Sequence, residues 1–362
     1  MAQYKVASIV GTRPNFIKLK PIHNIFGKDI HHEIIHTGQH YDFTLSEIFF
    51  KEFKLPNPDY NLEIGSDTPG KQMGEMIRKI EKILLEKKYD LVLVYGDTNS
   101  TFAGAFSAIK ANIRVAHIES GLRSFDRRMP EEINRVLTDS ISHYLFASTK
   151  TASNNLKREN VFGKIYETGD LSVEVIYEAE ELASSSNITK RLHLNPKKYI
   201  LFTMHRAENT ESDITFLSIL RAFTALSDVK IVFPIHPRTK RILEKKYIYQ
   251  KLENCKNLTM LPPVGYLDFI RLAKDADKIV TDSGGLQKEA YLLSVPCITI
   301  RQNTEWTETV EEGWNILTDT NSEKIVSAVR DWIPTNKTQK KIFGNGNTSK
   351  IIKEIILDEL IK

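Results

Sequence analysis

The sequence predicts an α/β protein of two doubly wound, Rossmann-like domains facing a central cleft. Three observations carry this expectation. Short apolar runs alternate with longer amphipathic segments from one end to the other. The runs are close to continuously apolar, and 362 residues suffice for two domains with a core each. Near-continuous apolar strands belong to parallel sheets that helices cover on both faces.

In the first half, Val6–Val10, Glu33–His36, Leu91–Tyr95, Val115–Ile118 and Leu145–Ala147 are the strands, each short and centred on apolar residues. Lys71–Lys87, Asn99–Lys110 and Pro130–His143 carry helical patterns between them. A further strand ends in Thr168-Gly169-Asp170 ahead of a helix. That turn sets the expected boundary, with residues 1–168 as the N-terminal domain and 169–348 as the C-terminal one. A polar stretch, 184–198, leads into the strands Ile200–Thr203, Ile231–Ile235, Ile279–Thr281 and Cys297–Ile300, with a helix over Ile214–Leu226. A last helix, within 349–362, follows the turn-rich 343–347 and is expected to pack back on the first domain.

Composition excludes several classes. Apolar residues make up 41% and charged residues 27%, an ordinary globular balance, and the formal charge is only +4. The lysines are scattered and form no nucleic-acid stripe, which suits an anionic small substrate better. Cys255 and Cys297 lie far apart without a CxxC pattern, so a reducing compartment is expected and a zinc or disulfide framework is not. The apolar N-terminal run is too short for a signal peptide, and no run approaches the ~20 apolar residues that span a bilayer. The chain reads as cytoplasmic, with no membrane and no nucleic-acid partner.

Ligands of open parallel sheets bind beyond the carboxyl ends of strands, so the motifs just after strands matter most. Gly11-Thr12-Arg13-Pro14-Asn15-Phe16-Ile17-Lys18 follows the first strand, and Pro14 suits the first turn of a helix. Arg13 and Lys18 then stand near a helix N-terminus, itself attractive to anions, and are read as diphosphate or substrate contacts. Surface cations would be the plainer reading. The stretch is neither a Walker A loop nor GxGxxG. Asp282-Ser283-Gly284-Gly285 repeats the logic of strand, glycine turn and helix. Ser283 and free helix N–H groups can donate to a phosphate, although an N-cap with a glycine turn explains part of it.

Asp97 follows one strand and Glu119 another, while Glu131 and Glu132 open the helix after Met129-Pro130. Carboxylates in unlike environments have separated pKa values, so one can serve as acid and another as base. Glu132 is assigned to the helix dipole alone. His205 and His236 each stand just past a strand of the second half, where imidazole can hydrogen-bond a ligand or stabilise departing phosphate charge. His31, His32 and His193 are taken as structural. Spacing gives no HxxxH pair or clustered ligand set, so no metal is expected.

Together these residues resemble the non-hydrolysing UDP-N-acetylglucosamine 2-epimerases, whose two-domain GT-B-type fold is shared with many glycosyltransferases. The resemblance runs nearly end to end. It covers Gly11-Thr12-Arg13-Pro14 with Lys18, Thr37-Gly38-Gln39-His40, Gly96-Asp97-Thr98 and Glu119-Ser120-Gly121-Leu122-Arg123. It continues through Pro130-Glu131-Glu132-Ile133-Asn134-Arg135, His205-Arg206-Ala207-Glu208-Asn209, His236-Pro237 and Asp282-Ser283-Gly284-Gly285 with Glu289. The resemblance implies that Asp97, Glu119 and Glu131 are catalytic, that His205 assists near the diphosphate, and that Arg13 and Lys18 bind substrate. Phe269 would lie beside the uracil, Ser283, Gly284 and Gly285 at the phosphates, and Glu289 at the ribose.

It further implies a UDP-sugar substrate, no cofactor (neither NAD nor metal), a homodimer, and a product that feeds cell-surface polysaccharide. The chemistry would be elimination of UDP to a 2-acetamidoglucal and its re-addition with a proton on the opposite face. The chain departs from the common family pattern at Asn15 for Glu, Asp170 for Asn, Leu171 for Thr, Lys288 for Glu and Trp306 for Arg. Several of these departures resemble the relatives that act on UDP-2,3-diacetamido-2,3-dideoxyglucuronic acid, which is the alternative substrate. A UDP-sugar-dependent glycosyltransferase is the alternative class. Asp42 stands where activated bacterial relatives tend to carry an amide, so activation by a second substrate molecule is not carried over.

Overall fold

A computed structural model of the chain describes residues 4–39, 55–245 and 248–361, without the side chains of Arg13, Ala207, Glu208 and Arg238. It divides into two compact units, Met1–Val175 with Lys341–Lys362, and Ile176–Lys340.

The first unit is built on a seven-stranded sheet of order β3-β2-β1-β4-β5-β6-β7. Its strands are β1 Tyr4–Val10, β2 Ile30–His36, β3 Tyr60–Asn61, β4 Leu91–Tyr95, β5 Arg114–Ser120, β6 Tyr144–Ala147 and β7 Lys164–Glu167. Every pairing is parallel. The central strands are buried along most of their length, which is why they read as unbroken apolar runs. The helix Pro69–Lys87 buries Gln72, Met76, Ile80 and Leu84, one stripe at four-residue spacing. That stripe joins Ile9, Val92 and Val94 of the sheet and Ala103 and Ala108 of the helix Asn99–Lys110 in one core cluster. The last helix, Thr348–Ile361, belongs to this unit. Its Glu359 accepts from Lys164 at 2.5 Å and Tyr166 at 2.9 Å, and Lys353 pairs with Asp29 at 2.5 Å.

The second unit holds a six-stranded sheet of order β10-β9-β8-β11-β12-β13. The strands are β8 Tyr199–Thr203, β9 Lys230–Pro234, β10 Leu258–Leu261, β11 Lys278–Thr281, β12 Cys297–Thr299 and β13 Asn315–Leu317, again all parallel. Phe202 meets Phe223 and Phe233 edge to face at 4.9 and 4.8 Å in the centre of its core.

Both sheets share one topological property. From β1 the chain builds β2 on one side and β4 on the other, and from β8 it builds β9 and then β11. The strand order reverses there, and the loops leaving adjacent strands diverge to open a crevice. Element ends differ slightly from the sequence expectation. The helix Pro130–Ile141 stops two residues early because Ser142 is extended and turns its hydroxyl back to the Thr138 carbonyl at 2.8 Å. Among the described residues, no helix is long and apolar enough to cross a membrane.

Candidate functional site

In the first unit the turns after β1, β4 and β5 hold the charged residues. Thr12 and Asn15 open the helix Arg13–Phe26. The Asn15 Oδ1 accepts from the Thr12 amide at 3.1 Å, and its Nδ2 donates to the Tyr95 carbonyl at 2.8 Å. A glutamate at position 15 has no proton to donate there, so the departure at this position ties the first turn to the end of β4. One turn further on, buried Lys18 points its ammonium at Glu119, 2.5 Å away. The Arg13 side chain lies outside what is described, and so do His40 and Asp42. Gln39 accepts from the Ser100 amide at 3.0 Å and hydroxyl at 2.7 Å, at the start of the helix Asn99–Lys110.

Glu119 is the residue at which β5 slips register against β6, between Ile118 and Ser120, and its φ is 68°. A bulge re-aims the side chain it carries, and a left-handed non-glycine residue is strained. Asp97 follows Gly96 at the end of β4 and receives Arg135 Nη2 at 2.6 Å, while its side chain stays 32% exposed. Glu131 stands in the first turn of the helix Pro130–Ile141, four residues before Arg135, which places both on one helical face. Glu132 turns away to close a loop, accepting from the Ser124 amide and hydroxyl and the Phe125 amide, each at 2.9 Å.

The Asp97 carboxyl is pushed above the ordinary range. Loss of water around the carboxyl to the surrounding protein is the main cause, even with part of the side chain open to solvent. Arg135 opposes it, and the charges of Glu119 and Glu131 reinforce it. Lys18, Asp97, Glu119, Glu131 and Arg135 therefore share one electrostatic site. The motif containing Arg135 stood in the sequence, but the residue was not singled out. Its spacing of four from Glu131 was the available signal.

In the second unit Asp282, at the end of β11, is fully buried and organises the turn after β8. It accepts from the His205 amide at 3.1 Å, the Arg206 amide at 2.9 Å and the Asn209 side chain at 3.1 Å, with the His205 ring at 3.3 Å. Sequence reasoning treated Asp282 as part of a turn. Here Ser283 is the N-cap of the helix Gly284–Leu292, and Asp282 is the anchor. His205 remains 46% exposed. His236 is exposed at the end of the neighbouring β9.

The two glycines differ. A Cβ on Gly284 would strike the Glu305 Oε1 at 2.0 Å, whereas one on Gly285 would meet only the Ser283 hydroxyl at 4.0 Å. Internal packing thus explains the first glycine but not the second, which leaves room for a ligand to approach the backbone there. Glu289, on the same helix, accepts from the Tyr266 hydroxyl at 3.1 Å, and Tyr266 opens the helix Tyr266–Asp275 that carries half-buried Phe269. Lys288 is buried with its ammonium 4.6 Å from the centre of the buried Trp306 ring. Where the common pattern has an acid and an arginine, this chain has a lysine stacked on an indole. A cation is kept, displaced onto the glycine helix.

A family profile described as UDP-N-acetylglucosamine 2-epimerase matches residues 26–357. The chain is 52% identical, over 97% of its length and 99% of the other's, to a UDP-N-acetylglucosamine 2-epimerase homolog of Methanococcus maripaludis. It is 40% identical, over 97% and 99%, to a UDP-2,3-diacetamido-2,3-dideoxy-D-glucuronate 2-epimerase of Pseudomonas aeruginosa. Among solved structures it is similar to the Methanocaldococcus jannaschii UDP-GlcNAc 2-epimerase in complex with UDP-GlcNAc and UDP. The TM-score is 0.92 at 47% identity, covering 98% of this chain and 99% of that one.

Proposed function

This chain belongs to the UDP-N-acetylglucosamine 2-epimerase family, and from that premise we propose that it interconverts UDP-N-acetylglucosamine and UDP-N-acetylmannosamine. The C2 hydrogen of such a sugar is poorly acidic, because no carbonyl adjoins it. Loss of UDP across C1–C2 gives a 2-acetamidoglucal, and UDP returns as C2 takes a proton from the other face. Two proton carriers on opposite faces are needed. The observation that supports this reading is the charged cluster after β1, β4 and β5, where Lys18 meets Glu119 at 2.5 Å beside Gly96 and Arg135 meets Asp97 at 2.6 Å. With Lys18 paired to Glu119 and Arg135 to Asp97, an elimination that returns a proton still needs one carboxyl able to hold it. Asp97, with its raised pKa, is the group suited to hold it.

On this reading the second unit grips the nucleotide. The helix N-terminus at Ser283, Gly284 and Gly285 takes the phosphates, Glu289 the ribose, Phe269 the uracil, and His205 and His236 the departing charge. Arg13 and Lys18 complete substrate binding. We place the enzyme in the cytoplasm as a homodimer. Exposed Phe125, Ile133 and Leu137 of the first unit support an apolar contact between copies.

The same inversion on UDP-2,3-diacetamido-2,3-dideoxyglucuronic acid is the second reading. It is supported by Lys288 on Trp306, a buried cation beside the glycine helix that an acidic sugar would use. Incubation with each sugar in heavy water, without cofactor, tests both by proton NMR. The expected result is deuterium at C2 and the C2 epimer with UDP still attached. Free sugar with free UDP, or transfer only when an acceptor is added, would replace the epimerase reading with a hydrolase or a glycosyltransferase. Lys288→Met is expected to weaken the acidic sugar roughly 10-fold more than the neutral one, in line with a lost charge-assisted contact. Equal loss for both removes the second reading.

A further inference from the structure

We propose that His117 and Asp139 form a positioning pair that locks the turns bearing Asp97 and Glu119 to one another. Both residues have no exposed surface. His117 Nε2 lies 2.7 Å from the Gly96 carbonyl oxygen, and a carbonyl only accepts, so this nitrogen carries a proton. His117 Nδ1 lies 2.7 Å from Asp139 Oδ1.

The other oxygen of Asp139 accepts from the Gly121 amide at 3.0 Å and pairs with Arg123 at 2.7 Å. Burial alone would raise the Asp139 pKa, but His117 and Arg123 outweigh it and the net direction is down. Asp139 thus holds the ring on one oxygen and the Gly121 amide on the other, and Arg123 in turn grips Glu159 through two nitrogens at 2.7 and 2.6 Å.

The geometry gives this pair its task. Gly96 directly precedes Asp97 and has φ of 66°. Gly121, two residues past Glu119, has φ of 79°, and Glu119 between them is itself left-handed. Backbone in such conformations persists only where its surroundings over-determine it. The His117 ring reaches the first turn, and its carboxylate partner reaches the second. Loss of the pair frees the two acids to move relative to one another without touching either of them, and misplacement at this scale costs rate before it costs affinity.

The inference rests on the epimerase reading for its kinetic arm only. In nitrogen-15 NMR of the wild-type protein at neutral pH, His117 Nε2 is expected to carry a proton hydrogen-bonded to the Gly96 carbonyl, and an unprotonated Nε2 overturns the proposal, whatever the substrate proves to be. Asp139→Asn and His117→Gln, with rates taken per UDP-binding site so that only folded protein counts, are expected to lower kcat for C2 exchange roughly 10–100-fold with KM within about 2-fold. In Asp139→Asn the proton between His117 Nε2 and Gly96 is expected to persist, so the kinetic loss reads position and not unfolding. Unchanged kcat per site in both variants, or a loss confined to KM, contradicts the positioning role. If wild type turns over no UDP-sugar, the epimerase reading fails and the NMR result still stands or falls alone.

Discussion

Each unit opens a crevice of its own at the same topological point, and the residues around the two differ. After β1, β4 and β5 of the first, side-chain charges are crowded against each other: Lys18 on Glu119, Arg135 on Asp97, with Glu131 in the same field. After β8 and β11 of the second, one buried carboxylate, Asp282, gathers backbone and side-chain donors, and His205, Arg206, Ser283 and Gly285 are among the described residues that keep exposed surface there. A strained, charge-dense site is poised to move protons, whereas a turn held by one anchor presents fixed donors to an anion. A shared strand order thus leaves chemistry to the residues placed on it.

Asp97→Asn offers the sharpest contrast. It is expected to reduce C2 exchange by about 10²–10⁴-fold, as loss of an acid–base group does, while UDP affinity by calorimetry stays nearly constant. Arg135 keeps Glu132 at 3.5 Å, so the fold should persist. An equal loss of UDP binding would erase the division of labour. Asp282→Ala is the counterpart. It strips three donors of a buried partner, at roughly 1–3 kcal/mol for each group left unsatisfied, and should lower the melting temperature and abolish UDP binding together. Full UDP affinity in that variant would show that the His205 turn is dispensable.

The glycines give the smallest and most diagnostic effect. Gly285→Ala should leave stability within about 0.5 kcal/mol of wild type or slightly above it, because alanine suits a helix. UDP affinity is nevertheless expected to fall roughly 10-fold, about 1.4 kcal/mol, if a phosphate approaches that backbone. Gly284→Ala must displace Glu305 and should cost stability as well. Matching stability losses for the two would remove the distinction.

How much of this was legible in the sequence follows from burial. Central strands appear as apolar runs because both faces are covered. The unrecognised strands, β3, β10 and β13, are sheet edges, short and half-exposed, and their sequences carry no such run. β7, the remaining edge, was visible only through the turn that ends it. Each post-strand motif was likewise readable because it is local. Arg135 on Asp97, Asp282 under His205, His117 between two turns and Lys288 on Trp306 are all pairings across distant positions, and no spacing along the chain announces them. Substitutions that looked like losses, Trp306 above all, become intelligible only when the partner is seen.

Direct titration of Asp97 by carbon-13 NMR, in wild type and in Glu119→Gln and Glu131→Gln, tests most plainly whether three acids act at one centre. Removing a nearby like charge makes ionisation easier, so the account predicts an Asp97 pKa above the usual carboxylate range that falls in each variant. An Asp97 that titrates at its ordinary value, or ignores both substitutions, would contradict it.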